Sequence, residues 1–461
     1  MELKSAIQTV TDYLPSYLSY QHDYHPYVGT QVALRQDGDL LFNEAYGWAD
    51  VANQIALTTD HLFRIASHSK TFTGVAAQQL VEAGKLVLDD AAAVHVPELA
   101  GTDIGKVTVR ELLGHISGMT RDGDDCAFWF LDRTFPNKEE LIDTITEFGK
   151  VLEPNEHFKY SNIGYSLLGL IIEGASGVSY REFVTTNIID KLGLKDTGPD
   201  LNFDRLDDYA KGYSSRAHGP NRIEIEHIDT FAESSATGFY SKASELTDYF
   251  QAHLDGDDRI ITDASKRRMR QVQWWVTEDS GYGLGLVVEK IKGRTYYGHS
   301  GGYPGHITMS KVDLERRLSL SVLTNSNDGP AAIIANAILG LLDLAISPAK
   351  AKTEPQDPEK LKKFEGRFAN LWGLTDVVNL GGRLYLISPA AADPAGFATE
   401  MEVVSDTELK CVGDPGFGGY AENMRYTFNE DGTVEKIRGA SGMPMVPREK
   451  FALPEKLTRP E

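Results

Sequence analysis

Phe63-Arg64-Ile65-Ala66-Ser67-His68-Ser69-Lys70-Thr71-Phe72-Thr73 is the stretch that decides the fold, a short apolar lead running into a helical pattern. Phe72, Val75, Ala76, Leu80 and Val81 share one side and Gly84 supplies a stop, so the spacing predicts a helix from Ser67 to Ala83. Ser67 and Lys70 stand at i and i+3, on one face, with Cβ atoms about 5–6 Å apart. A lysine there can take the serine's proton if burial holds it neutral. The helix N-terminus also points backbone N–H groups at the site, which suits an oxyanion. A capped surface helix can carry the same four residues, so the motif needs support from elsewhere in the chain.

Two further stretches supply it. Tyr160-Ser161-Asn162 opens an apolar helix over Ile163 to Ile172. A tyrosine at a helix start can present its phenol to Ser67 as a base if a cation depresses its pKa, and Asn162 can bond Lys70 or a substrate amide. The bland alternative is a boundary tyrosine with Asn162 as the cap. Gly298-His299-Ser300-Gly301-Gly302 ends a strand over Arg294 to Tyr297. Its glycines let a substrate lie close to the backbone, and a backbone N–H there can complete an oxyanion hole. His299 could tune Tyr160 or bind a substrate acceptor.

Taken together, Ser67-x-x-Lys70, Tyr160-Ser161-Asn162 and His299-Ser300-Gly301, in this order, resemble the serine β-lactamase and penicillin-binding family, especially its class C-like branch of esterases, D-aminopeptidases and amide hydrolases. Leu112 to Met119, read as a helix, Gly164 to Leu170 and Tyr282-Gly283-Leu284-Gly285 look like the family too, and the likeness runs from about Val28 to Leu344. The resemblance implies an acylated Ser67 with Lys70 as proton acceptor. It implies Tyr160 as proton shuttle to the leaving group, and the backbone N–H groups of Ser67 and Gly302 as oxyanion hole. Asn162, Ser300 and Gly301 would touch substrate. One departure matters: relatives that act on β-lactams usually carry Lys-Thr-Gly where this chain has His299-Ser300-Gly301. A histidine is mostly neutral at pH 7. Substrates that need a fixed positive charge for a carboxylate are therefore disfavoured, and esters come first, D-amino-acid amides and peptides second.

Around these motifs the chain reads as an α+β fold. Thr11 to Tyr20 is weakly amphipathic, and Thr30 to Tyr46 is a hairpin turning at Asp37-Gly38. The middle, to about Leu254, is helix and loop. Strand character returns at Leu284 to Ile291, Ile307 to Val312 and Leu318 to Leu323, so early and late strands should meet in one antiparallel sheet flanked by helices and a helical lobe. Residues 1–346 are expected to form this hydrolase domain. Ser347 to Lys363 reads as a linker, and residues 364–461 as a small all-β barrel, lipocalin-like by shape and size.

The loop Asp122-Gly123-Asp124-Asp125-Cys126-Ala127-Phe128-Trp129-Phe130 is placed by the resemblance near the cleft. Phe128 and Trp129 could hold an apolar acyl group and the carboxylates a substrate amine; a lid packed on the body is the alternative. Trp274 and Trp275 are read as core, and Cys126 as a buried bystander.

The formal net charge of −21 (46 basic, 67 acidic residues) argues against nucleic acid and anionic membranes as partners. Two distant cysteines, Cys126 and Cys411, give no disulfide framework or zinc cluster, and His22 and His25 lack a third ligand, so no metal or organic cofactor is expected. Ala331 to Ile346 is too short and too polar to span a bilayer and reads as a core helix. With no secretory signal at Met1-Glu2-Leu3-Lys4, the cytoplasm is the default location. The expected partner is a small ester or a short peptide or amide, with homo-oligomerisation left open.

Two rival readings remain. Gly298 to Gly302 also matches G-x-S-x-G, the nucleophile elbow that would make Ser300 the nucleophile, but Pro304 and Gly305 oppose the helix it needs. The other is a non-catalytic sensor that binds an acyl or peptide ligand.

Overall fold

A computed structural model describes residues 2–348, 351–413, 419–440 and 442–453. The chain divides into two compact units, residues 27–335 and residues 1–26 with 336–461.

The first unit is built on a nine-stranded antiparallel sheet. Its strands are β1 (Gly29–Gln36), β2 (Asp39–Asp50), β3 (Ile55–Ala56), β4 (Trp274–Trp275), β5 (Ser280–Tyr282), β6 (Val287–Ile291), β7 (Arg294–Tyr303), β8 (His306–Asp313) and β9 (Leu318–Thr324), in the order β3-β2-β1-β9-β8-β7-β6-β5-β4. Early and late strands thus meet where β1 pairs with β9, Val32 opposite Val322. The β1–β2 turn falls at Asp37 and Gly38, both with positive φ (49° and 89°), the backbone that Asp-Gly is suited to. β7 continues six residues past Tyr297, so His299, Ser300, Gly301 and Gly302 are paired strand residues, Ser300 opposite Met309. No helix follows Ser300, which removes the nucleophile elbow.

Helix α1 (Leu3–Tyr24) belongs to the second unit. In the first unit, α2 (Ser69–Glu82) and α4 (Asn162–Ser176) lie in contact at the centre of the core. Between them, α3 (Val109–Leu113) ends earlier than expected. His115 (φ 56°) and Gly118 (φ 72°) break the predicted Leu112–Met119 helix into a turn. Helix α5 (Ala243–Gln251) packs on β1 and β9, stacking Tyr249 on Phe72 at 3.8 Å. The predicted core helix is α6 (Ala331–Ile346).

The second unit is a closed antiparallel barrel of eight strands, β10 (Gly366–Asn370), β11 (Gly373–Leu380), β12 (Arg383–Ile387), β13 (Thr399–Ser405), β14 (Glu408–Cys411), β15 (Asn423–Phe428), β16 (Val434–Arg438) and β17 (Pro444–Pro447). Its form is lipocalin-like. Phe364, Phe368, Leu384, Met401, Leu409 and Ile437 are among the side chains that fill its core. α1 packs along β11, where Tyr13 Oη donates to Asp376 at 2.7 Å. The predicted linker carries a short helical turn, Pro358–Leu361. Residues 349–350 of the linker, and 414–418, 441 and 454–461 of the predicted barrel domain, lie outside the described residues.

Candidate active site

The Ser67 turn is fixed from three sides. A 3₁₀ turn, Ala66–His68, feeds α2, with Ala66 in the left-handed region (φ 48°), a conformation unusual for a residue with a side chain. Ser69 Oγ donates to Ala66 O at 2.6 Å and accepts from Phe239 N at 3.0 Å, tying the turn to the chain beyond the Ser234–Gly238 bulge. β7 runs flush against it: a Cβ on Gly301 would lie 2.2 Å from Ile65 O, so only glycine fits. This is how a serine at the head of α2 comes to face the backbone of His299 to Gly302.

Lys70 is wholly buried, and its Nζ donates to Ser67 Oγ (3.2 Å), Asn162 Oδ1 (2.8 Å) and Ala236 O (2.8 Å). All three acceptors are neutral. Burial lowers its pKa to about 7, against the pull of the Asp122 and Glu233 carboxyls. The aromatic rings of Tyr160 and Tyr165 lie 4.9 and 5.5 Å from Nζ and keep water away. Asn162 passes the contact on, its Nδ2 donating to Asp122 Oδ1 at 2.7 Å.

Ser67 beside the Tyr160 phenol acts to lower its pKa, but burial outweighs it and pushes the pKa up rather than down. The expected cation-depressed phenolate is therefore corrected: desolvation outweighs the nearby cations, and Tyr160 is a phenol at neutral pH. The residue that caps α4 is Ser161, whose Oγ accepts from Gly164 N at 2.9 Å, and this leaves the Asn162 side chain to the site.

His299 is buried. Its Nε2 faces Tyr282 Oη at 3.0 Å and its Nδ1 faces Ser300 O at 2.6 Å. Burial lowers its pKa to about 3, so this position carries no positive charge. Ser300 and Gly302 are exposed along β7, and Gly301 is buried against the Ser67 turn.

Three residues of the site, His115, Tyr282 and Glu233, were not assigned roles from the sequence, and a fourth, Asp122, was read only as one of the loop carboxylates that could hold a substrate amine. His115 packs its ring 4.2 Å from Tyr160 and accepts from Ser161 N at 3.1 Å, which orients the phenol. Tyr282 holds His299. Asp122 anchors Asn162. Glu233 is fully buried, and neither of its carboxyl oxygens has a hydrogen-bond partner among the described residues. His115 and Tyr282 fall inside stretches quoted above for their family likeness, which is the signal that could have found them. Glu233 carries no local signal.

The loop residues divide. Phe128 is buried against Phe135 (4.6 Å), and Trp129 Nε1 donates to Asp122 at 3.2 Å, so this end of the loop is a packed lid. Phe128, Asp122 and Glu233 line one cavity of about 330 Å³. Cys126 is exposed, correcting the buried assignment, because it sits at the loop tip. Trp275 is 48% exposed on the two-residue edge strand β4, so the tryptophan pair is not core. Among the described residues no His/Cys/Asp/Glu cluster could hold a metal, and no helix is long and apolar enough to cross a membrane.

Residues 20–343 match the profile of the Beta-lactamase family. The chain belongs to that family. Penicillin-binding protein 4* of Bacillus subtilis is 32% identical over 324 residues, covering 66% of this chain and 69% of that protein. The octameric penicillin-binding protein homologue from Pyrococcus abyssi superposes with a TM-score of 0.65 at 26% identity, covering 94% of this chain and 99% of that one. The D-amino acid amidase from Ochrobactrum anthropi SV3, in complex with L-phenylalanine, gives a TM-score of 0.59 at 26% identity, with 71% of this chain and 92% of that one covered. The Beta-lactamase family match and the amidase and penicillin-binding neighbours support a serine hydrolase.

Proposed function

We propose that the chain hydrolyses esters, and more slowly amides, through an acyl-enzyme on Ser67. The observation that carries this reading is Lys70 Nζ, 3.2 Å from Ser67 Oγ in full burial with a pKa near 7. Ser67 Oγ attacks the carbonyl carbon while its proton passes to Lys70. The oxyanion is received by the backbone N–H groups of Ser67 and Gly302. Tyr160, as a phenol, relays a proton to the leaving group and then helps water attack the acyl-enzyme. Asn162 holds Lys70 in place. No metal or cofactor takes part in these steps.

A neutral His299 favours esters over β-lactams and peptides that end in a carboxylate, since nothing at that position would balance the carboxylate's charge. A second reading, hydrolysis of D-amino-acid amides, draws on the likeness to the D-amino acid amidase and on Asp122, whose carboxylate stands one residue from Lys70 through Asn162. Comparing kcat/KM for p-nitrophenyl butyrate, D-phenylalaninamide and a chromogenic cephalosporin tests the order. Ester turnover at least tenfold above the amide supports the first reading, amide turnover above ester the second, and cephalosporin turnover above both contradicts the argument from His299. The octameric state of the P. abyssi homologue supports a homo-oligomer, which light scattering would detect.

A further inference from the structure

The lid loop and the helix Lys138–Phe148 enclose the cavity of about 330 Å³, and none of Ser67, Lys70, Tyr160, Asn162 or His299 lines it. Its walls carry four carboxyls, Asp122, Glu140, Asp143 and Glu233, against one cation, Arg133. Three of the four are accounted for. Asp122 accepts from Asn162 Nδ2 (2.7 Å), Trp129 Nε1 (3.2 Å) and Arg121 Nε (3.0 Å). Glu140 accepts from Asn137 N (2.9 Å) in a helix cap, and Asp143 is exposed. Glu233 is different: it is 0% exposed, and neither oxygen has a hydrogen-bond partner among the described residues. The chain satisfies neither state of this acid. Ionised, it is a bare buried charge; protonated, it holds a donor with no acceptor. Arg133 does not serve it, since Nη2 donates to Asp125 O at 2.8 Å and the guanidinium lies 5.5 Å over the Phe128 ring.

A ligand that satisfies this acid donates hydrogen bonds and carries positive charge. A primary ammonium offers three donors and one charge on a compact head. Phe128, Leu141 and Ile163, all buried, give the cavity apolar walls that match a short alkyl chain, and its volume suits a small organic molecule. A metal ion fits less well, because among the described residues no His/Cys/Asp/Glu cluster could hold one. The exposed Glu140 and Asp143 draw a cation toward the site. We propose that this cavity binds a small alkylammonium, separately from the catalytic cleft, with the ammonium on Glu233 and the chain along Phe128, Leu141 and Ile163. The site goes beyond the hydrolase reading and does not depend on which serine is acylated.

The experiment is titration calorimetry of the full chain with n-butylammonium chloride at about pH 8.5. That pH lies above the value of about 8 to which burial raises Glu233, and below the value of about 10.4 for an alkylamine. Of the charges facing Glu233, Asp122 raises it further, and Lys70 and Arg133 lower it. Wild type is expected to bind one equivalent with a Kd on the order of millimolar, and n-butanol and butyrate at least tenfold more weakly. Glu233→Gln keeps the shape and removes the charge, and should weaken binding tenfold or more. Thr144→Phe, on the helix Lys138–Phe148, fills the same cavity and should do likewise, so it decides the matter where Glu233→Gln does not fold. Phosphonylation of Ser67 by an alkyl fluorophosphonate should leave the Kd within about twofold, since the cleft and the cavity are separate. No binding by wild type, equal binding of n-butanol, or unchanged binding in both variants overturns the proposal. Loss of binding on phosphonylation also overturns it, because the amine then sits in the catalytic cleft. A chain that fails to react with the fluorophosphonate counts against the Ser67 reading alone, and the variants still decide this one.

Discussion

At Lys70 two opposing forces meet, and their balance decides what the residue can do. Full burial disfavours the ammonium, the two neighbouring carboxyls favour it, and burial wins, leaving a lysine near neutrality. Lys70 must be free base to take the serine proton, so activity should rise with pH through about 7 and fall below it. A pH profile of kcat/KM on p-nitrophenyl butyrate checks this; a flat profile from pH 6 to 8 contradicts it. Lys70→Met should cost about 10²–10⁴-fold in kcat with little loss of stability, since it removes a buried amine and keeps the packing. That Ser67, Lys70 and Asn162 come together could be anticipated because Ser67-x-x-Lys70, Tyr160-Ser161-Asn162 and His299-Ser300-Gly301 occur in one chain in the order of the family they resemble, the Ser67–Lys70 spacing alone being too weak a signal. Glu233 and the neutral, buried state of His299 were not legible, because burial comes from residues hundreds of positions away.

β7 packs its backbone directly against the Ser67 turn. Its glycines read in sequence as a strand end, which is why the strand was expected to stop at Tyr297. In the structure Gly301 continues the strand, because a side chain there would strike the Ile65 carbonyl at 2.2 Å. Gly301→Ala should push β7 off the Ser67 turn, costing about 1–3 kcal/mol of stability and more in activity than in stability. Circular dichroism melts beside ester kinetics would separate the two, and unchanged kinetics would contradict the close approach. Behind the same turn, Arg64, wholly buried, bonds Asp200 at 3.0 Å. Asp200→Ala should cost about 3–5 kcal/mol, because it leaves a buried guanidinium without its partner. The alternating late strands and the Asp37-Gly38 hairpin were legible from period and turn chemistry. The early end of α3 was not, since the positive φ of His115 answers a tertiary demand, its ring packing against Tyr160, Tyr165 and Tyr282.

Across the whole molecule, the turn signals between residues 366 and 451 sufficed to expect a barrel, but nothing in sequence tied α1 to it. The Tyr13–Asp376 bond joins residues 363 apart. The two units also differ in their histidines. His68, His227, His253 and His299 have pKa values lowered to about 4, 3, 3 and 3 by burial, and burial also holds His115 and His306 well below the usual imidazole value; all six lie within residues 27–335. Once unfolded, these rings take up protons near pH 6.5. Between there and pH 4 the unfolded state binds more protons, so stability is lost as pH falls through that window. Raised carboxyls such as Glu233 act in the opposite sense but are fewer. The hydrolase unit should therefore melt before the barrel unit on acidification. Thermal scans from pH 7.5 to 4.5 would test this, with His306→Phe flattening the slope for the first unit; equal slopes for both units would contradict it.

The central claim is that Ser67 is the nucleophile, and it is tested most directly by intact-mass spectra taken while wild type, Ser67→Ala and Ser300→Ala hydrolyse p-nitrophenyl butyrate. Wild type and Ser300→Ala are expected to turn over and to show a butyryl mass on the chain. Ser67→Ala is expected to show neither, with its rate reduced by about 10⁴-fold or more. Full activity in Ser67→Ala, with loss in Ser300→Ala, would contradict both the nucleophile and the chemistry built on it.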